Sequence, residues 1–193
     1  MLIEPQSLGS VLAALGQILR ARGRRFELVV IGGSALQALG LVARPTRDVD
    51  VVALLDPSGL IPATALPTDL LGAAEQVASD LGLSPTWLNA GPAELVQSGM
   101  PPGFESRLHS RDFGPSLTVH FADRFDQIHL KLYAVVDQGA GRHEADLRAL
   151  EPTADELVSA ARWARTHDPS PGFRQVLERV LDAFGVRDAG LDA

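Results

Sequence analysis

The feature that most constrains the fold is a short apolar segment that runs directly into two glycines. Residues 26–31 (Phe-Glu-Leu-Val-Val-Ile) have the composition of a buried β-strand, and Gly32 and Gly33 follow at once. Residues 34–41 then carry a helical pattern that stops near Gly40. The sequence therefore predicts a strand, a tight turn without side chains, and a short helix.

A second strand is predicted over residues 48–55, and it opens with an Asp-Val-Asp triplet. Because side chains alternate along a strand, Asp48 and Asp50 are expected on one face. Two neighbouring carboxylates repel each other unless a cation lies between them, and oxygen ligands favour Mg²⁺ or Mn²⁺. The alternative is a solvated strand start in which Asp50 pairs with Arg44 or Arg47.

The rest of the chain divides into an α/β half and a helical half. A loop is predicted over 56–68 and a strand over 117–121. The stretch 85–116 between them is rich in proline and glycine, and it predicts only a weak strand at 86–88 and a helical turn at 92–98. Apolar spacing predicts further helices over 7–22, 69–82, 123–138, 142–150, 153–166 and 172–184.

This order of elements predicts an α/β (α+β) fold, with a small mixed sheet flanked by helices and a helical C-terminal half. We expect an α/β core over residues 1–122, a helical part over 123–187 packed on that core, and a loose tail over 188–193.

Composition limits the kinds of partner and chemistry. The net charge is -7, which disfavours non-specific nucleic-acid binding, although four arginines cluster over residues 20–25. The absence of cysteine excludes thiol nucleophiles and thiolate metal sites. No apolar run approaches the ~20 residues that a membrane helix needs, and no signal peptide is evident. We therefore expect a cytoplasmic, soluble protein without a membrane partner.

The glycine turn and the acidic strand suggest complementary chemistry. Glycines let the backbone approach a bound phosphate, and the hydroxyl of Ser34 can donate to a phosphate oxygen or cap the following helix. Taken alone, Gly32-Gly33-Ser34 is more typical of an ordinary strand-to-helix turn with a serine cap. The combination of this turn with Asp48 and Asp50 on the next strand favours a site for a polyphosphate and a divalent cation.

This combination resembles the motif of the nucleotidyltransferase superfamily. The resemblance implies that Gly32, Gly33 and Ser34 hold nucleotide phosphates and that Asp48 and Asp50 hold Mg²⁺ or Mn²⁺. Arg44 and Arg47 flank the acidic pair, where they either bind a triphosphate or neutralise the charge of the two carboxylates. We include Arg47 among the expected nucleotide-binding residues.

Two further residues extend the resemblance downstream. Lys131, the single lysine among 17 lysines and arginines, lies in a Lys-Leu-Tyr-Ala segment, and Asp146 lies in an Asp-Leu pair. This pattern is similar to the AbiEii and MenT class of toxin nucleotidyltransferases. The resemblance implies catalytic roles for Lys131 and Asp146, and it places Lys131 among the expected nucleotide-binding residues as well. The alternatives are a surface lysine and a local ion pair between Asp146 and Arg142.

Many nucleotidyltransferases have a third carboxylate on a later strand, where it can act as general base. This sequence departs from that pattern. The predicted strand at 117–121 has Thr118 and His120 on its polar face, so either Asp123 or His120 replaces this acid, or it is absent. Trp87 and Asn89 are expected either to contact a nucleobase or to belong to the core.

The expected function is the transfer of a nucleoside monophosphate from a nucleoside triphosphate to a hydroxyl or phosphate. The resemblance suggests that the acceptor is an RNA end such as tRNA, or a protein. It also suggests that the protein is a toxin with a cognate antitoxin protein as partner. The alternative is a catalytically weak or inactive nucleotide-binding protein with a regulatory role. A glycosyltransferase is disfavoured because only 47 residues precede Asp48.

Overall fold

A computed structural model describes residues 2–187 and Gly190. The predicted loose tail, 188–193, therefore lies outside the described residues except for Gly190. The chain forms two compact units, one ending at Asp123 and one beginning at Arg124.

The first unit contains a six-stranded sheet and four α-helices. The strands are β1 (Phe26–Ile31), β2 (Val49–Asp56), β3 (Gly59–Pro62), β4 (Leu88–Ala90), β5 (His109–Asp112) and β6 (Leu117–Phe121). The helices are α1 (Leu8–Ala21), α2 (Gly32–Ala38), α3 (Thr68–Leu81) and α4 (Glu94–Ser98), and a 3-10 turn spans Phe104–Arg107.

The sheet is mixed and has the strand order β3-β2-β1-β6-β5. Strand β1 pairs antiparallel with β2 and parallel with β6. The second edge of β2 is shared, because β4 pairs parallel with its first residues and β3 pairs antiparallel with its last. The N-terminal end of β2 is therefore enclosed by β1 on one side and β4 on the other.

The core of this unit lies on the sheet face that packs against α1 and α3. Leucines at helical spacing on α1, including Leu12, Leu15 and Leu19, are fully buried against strand residues such as Val51. Trp87 belongs to this core, and its indole N–H donates to the carbonyl of Ala74 on α3 at 2.9 Å. Trp87 is thus a packing residue rather than a surface on which a nucleobase stacks.

The second unit contains four helices: α5 (Arg124–Gln138), α6 (Arg142–Ala149), α7 (Ala154–His167) and α8 (Pro171–Ala183). All four agree with the predicted helices to within one or two residues. The start of α7 is fixed by a capping box in which Thr153 accepts from the Glu156 amide and Glu156 accepts from the Thr153 amide. The fold is therefore α/β, as predicted, with eight α-helices in the described part of the chain.

Two edge strands differ from the sequence-based expectation. The stretch 56–68 is predicted as a loop because it contains three prolines and a glycine. It nevertheless includes β3, which ends at Pro62 on the edge of the sheet, where proline is tolerated. Strand β5 has four exposed, polar residues and no apolar alternation, so only its pairing with β6 defines it. The weak strand expected at 86–88 lies slightly later, at Leu88–Ala90.

Within the described residues, every helix is too short or too polar to cross a lipid bilayer.

The capping box of α7 predicts a pH-dependent contribution to stability. The Arg124 side chain donates to Glu156 and, with the Thr153 amide, lowers the pKa of Glu156 below its ordinary value of 4.5. Because the folded pKa is depressed, this stabilisation is complete above the ordinary pKa and is lost as the pH falls through the folded value. We expect Glu156→Gln to cost about 1 kcal/mol at pH 7.

Urea unfolding of the wild type and Glu156→Gln at several pH values measures this effect. The difference between the two proteins should shrink below pH 4.5. A difference that stays constant down to pH 2 would contradict the assigned role of the carboxylate.

Candidate functional site

The centre of the candidate site is the contact between Asp50 and the glycine turn. The register of β1 and β2 pairs Ile31, the last residue of β1, with Asp50. The next residue, Gly32, has a φ of +75°, and a Cβ atom added there would lie 2.8 Å from Asp50 Oδ2. Both the left-handed backbone and the nearby carboxylate therefore require glycine at this position.

The second glycine accommodates the segment that leads into β2. A Cβ atom on Gly33 would lie 3.1 Å from Thr46 Oγ1 and 3.4 Å from a terminal nitrogen of Arg44. This segment is held by the backbone bridge between Thr46 and Ile3 and by the amide of Gln37, which donates to the carbonyl of Arg44 at 2.6 Å. The turn is thus bordered by a carboxylate on one side and a guanidinium on the other.

Ser34 is fully buried, and its hydroxyl has no hydrogen-bond partner in the described structure. Helix α2 begins at Gly32, two residues earlier than predicted, and its N-cap position falls on Ile31. Ser34 therefore does not cap the helix, which was the alternative to a ligand-binding role. A buried hydroxyl without a partner carries a free-energy cost, and because Ser34 has no accessible surface, a ligand reaches its hydroxyl only if neighbouring atoms move.

Asp48 lies one residue before β2 and is one of the residues that line an open cleft. Because the strand starts one residue later than predicted, strand alternation does not by itself fix the direction of Asp48. The cleft measures about 460 Å³ and is lined by Leu2, Arg47, Asp48, Ser84 and Thr86. Asp48 and the exposed Arg47 therefore share one accessible surface.

Asn89 is a neighbour of Asp50 that the sequence did not reveal. It lies directly opposite Asp50 in the parallel pairing of β4 with β2. In the amide orientation that satisfies its hydrogen bonds, the nitrogen donates to Asp50 Oδ1 at 3.2 Å and to the carbonyl of Ala90 at 3.0 Å. Asp50 is thus held between an amide and the glycine turn, and Asn89 contacts the acid rather than a nucleobase.

The two candidates for the third acid lie across β1 from Asp50. His120 on β6 is opposite Val29, which pairs with Ala53 of β2, so two inter-strand spacings, roughly 10 Å, separate His120 from Ala53. Asp50 lies three residues before Ala53 and is therefore not level with His120. Asp123 follows β6 and hydrogen bonds to His109 at 2.8 Å. Within residues 2–187, no group of three or more His, Asp or Glu side chains is arranged to hold a metal ion.

Lys131 and Asp146 are brought together in the second unit. Lys131 Nζ donates to Asp146 Oδ2 at 2.7 Å, and both side chains are almost completely buried. The two expected alternatives are therefore wrong: Lys131 is not a surface residue, and the i,i+4 pair of α6 joins Glu144 and Arg148. The catalytic roles that the resemblance implies for Lys131 and Asp146 stay predictions.

Comparison with known proteins supports the fold. A crystal structure of an antigenic nucleotidyltransferase-like protein from Paracoccidioides brasiliensis is similar to the chain, with a TM-score of 0.53, 12% sequence identity and 99% coverage of both chains. No protein-family model and no curated protein matches the sequence. The chain therefore has a nucleotidyltransferase-like fold, and the predicted AbiEii or MenT branch stays a prediction.

The contact between Gly32 and Asp50 predicts that alanine is tolerated poorly at position 32. Gly40 has a similar φ of +71°, but a Cβ atom added there would meet nothing within 4 Å, so Gly40→Ala isolates the backbone cost of about 1–2 kcal/mol. Gly32→Ala should cost about 1–3 kcal/mol more, because the methyl group displaces Asp50. If denaturant unfolding shows the same loss in free energy of unfolding for both variants, the Asp50 carboxylate does not restrict the side chain at position 32.

The buried ion pair predicts a difference between single and double substitutions. Lys131→Met leaves Asp146 buried without its cation and should destabilise the protein by about 3–5 kcal/mol. The double variant Lys131→Met with Asp146→Leu should recover most of this loss in thermal unfolding. A double variant as unstable as the sum of the single variants would show that the two residues do not act as a pair.

Proposed function

We propose that the protein is a metal-dependent nucleotidyltransferase that moves a nucleoside monophosphate from a nucleoside triphosphate to a hydroxyl or phosphate acceptor. The observation that carries this proposal is the register that sets the Asp50 carboxylate against the Gly32 turn. The buried hydroxyl of Ser34 on the same turn supports it. Pyrophosphate is the leaving group of this reaction.

Asp48 and Asp50 offer the kind of ligand that a hard divalent cation prefers, and the cleft lined by Asp48 includes neither Asp50 nor the glycine turn. Asp48 opens onto the cleft, and the Asp50 carboxylate is oriented by Asn89 and the turn. Carboxylates supplemented by water and phosphate oxygens are the ligands that Mg²⁺ and Mn²⁺ prefer. When bound by Asp48 and Asp50, the cation would neutralise the triphosphate and favour ionisation of the acceptor.

The remaining residues of the site have complementary roles in this proposal. Gly32 and Gly33 leave the backbone accessible to the phosphates, and Ser34 donates its unused hydroxyl to a phosphate oxygen. Arg47 is exposed at the cleft beside Asp48, where its guanidinium can contact a phosphate of the nucleotide. Asn89 keeps Asp50 oriented toward the turn.

The acceptor remains a choice between RNA and protein in this proposal. An RNA end such as tRNA, and a toxin role with an antitoxin partner, follow from the sequence resemblance. Three members of the predicted basic cluster are engaged within the first unit, since Arg22 donates to Gln76, Arg24 pairs with Asp69 and Arg25 pairs with Glu27. This engagement, with a net charge of -7, favours an acceptor that presents few phosphates.

A second function, nucleotide binding without transfer, is favoured by the amide beside Asp50. Asn89 occupies the paired position on the neighbouring strand, and an amide cannot take a proton from an attacking hydroxyl. Calorimetry that shows Mg²⁺-dependent nucleotide binding, together with no transfer to any acceptor, would establish this alternative.

The proposed reaction predicts that transfer depends on Asp48. Incubation with α-labelled nucleoside triphosphates, Mg²⁺ or Mn²⁺, and total RNA or protein should label an acceptor. Asp48→Ala should abolish the label because it removes a metal ligand. Asp80→Ala, which removes an exposed acid on α3, is the matched control and should label normally. Label transfer that survives Asp48→Ala would refute the site.

A further inference from the structure

A serine, a histidine and a glutamate form a hydrogen-bonded chain across three neighbouring strands. Ser110 on β5 lies directly opposite His120 on β6, and its hydroxyl is 2.7 Å from His120 Nδ1. On the other side, His120 Nε2 is 3.1 Å from Glu27 Oε2 on β1. We call these three residues the serine array.

When the His120 imidazole is neutral, the chemistry of the three groups sets the direction of the hydrogen bonds. A carboxylate has only acceptor atoms, so the Nε2 atom of His120 must carry the proton that it shares with Glu27. The neutral imidazole then has a lone pair on Nδ1, and the hydroxyl of Ser110 donates to it. Ser110 is therefore held on a general base that the carboxylate orients.

The surroundings distinguish this serine from an ordinary cross-strand residue. Ser110 is exposed on the edge strand β5, whereas His120 is only 7% exposed and Glu27 is half-buried. Two residues along the same pair of strands, Thr118 donates to Asp112 at 2.7 Å, and no imidazole is involved. Ser110 thus combines an accessible hydroxyl with a base that is shielded from water.

We propose that Ser110 is a nucleotidyl acceptor, so that the protein modifies a second copy of itself. This inference rests on the proposed nucleotidyltransferase function. The Ser110 oxygen attacks the α-phosphorus of the nucleoside triphosphate, and the bond from that phosphorus to pyrophosphate breaks. Pyrophosphate leaves with the bonding electron pair, and the Ser110 proton passes to His120 Nδ1.

The sheet order favours a donor site on another molecule. Strand β5 is three strands away from β2, so roughly 14 Å separates Ser110 from the strand that carries Asp50. Reacting atoms must approach to about 3–3.5 Å. All four residues of β5 are exposed, so Ser110 can enter the cleft of a second copy.

A mixing experiment tests transfer between copies. Ser110→Ala keeps Asp48 and Asp50, whereas Asp48→Ala keeps the acceptor serine. With α-labelled nucleoside triphosphate and Mg²⁺, the mixture should carry label on the Asp48→Ala chain at Ser110, as located by peptide mass spectrometry. The wild type should be labelled at Ser110 at a specific rate that rises with protein concentration.

Label at another residue, or an unlabelled Asp48→Ala chain in the mixture, would overturn the inference. If RNA or another protein is labelled while Ser110 is not, the inference fails and the proposed function stands. If no acceptor is labelled and nucleotide does not bind, both fail.

The activation of Ser110 can be measured without any nucleotide by using a fluorophosphonate probe. The probe forms a bond from its phosphorus to the serine oxygen and releases fluoride, while the proton goes to His120. Ser58 provides a matched control, because it is exposed and its hydroxyl donates to Asp56 rather than to an imidazole. Ser110 should react about a hundredfold faster than Ser58.

Variants of the array separate activation from folding. His120→Gln should lower the rate of Ser110 labelling about a hundredfold. Glu27→Gln should also slow the reaction because its amide no longer enforces the histidine tautomer, and Glu27→Asp should restore much of the rate. Ser110 labelling that equals that of Ser58, or that is unchanged by His120→Gln, would overturn the inference.

Discussion

The fold of the first unit depends on one pairing, in which the last residue of β1 lies opposite Asp50 of β2. With this register, a Cβ atom on Gly32 would lie 2.8 Å from Asp50 Oδ2, so a side chain there would require the Asp50 carboxylate to shift. The same register directs the chain into α2 through a left-handed residue. The same strand register therefore determines both the geometry of the turn at Gly32 and the position of the Asp50 carboxylate.

This feature explains why the site lies at the N-terminal end of β2. The apolar neighbours Val49 and Val51 anchor the strand in the core, so that Asp50 between them remains on the opposite, only partly buried face. Asn89 on β4 limits the movement of the carboxylate from the other edge. An acid held in this way is preorganised for a cation, since little reorganisation is needed when the charge arrives.

Local patterns were sufficient to predict the elements that carry the motif. The apolar run over 26–31 and the helical spacing of the second unit depend on residues near in sequence, and the structure agrees with both. The Asp-Val-Asp triplet is matched only in part, because β2 begins at Val49 and Asp48 precedes it. Strand β5 has no such pattern, and its identity comes only from pairing with β6. The contact of Asn89 with Asp50 depends on strand register, and the serine array joins residues up to 93 positions apart, so neither could be predicted from local patterns.

The central claim is that Asp48 and Asp50 hold a divalent cation that seats a nucleoside triphosphate on the glycine turn. The most direct measurement is a crystal structure with Mn²⁺ and a non-hydrolysable nucleoside triphosphate, with the metal located by anomalous scattering. We expect a manganese peak at Asp48 and Asp50 and phosphate oxygens at Gly32, Gly33 and the Ser34 hydroxyl. A nucleotide bound elsewhere, or phosphates on the turn without metal at these two acids, would contradict the claim.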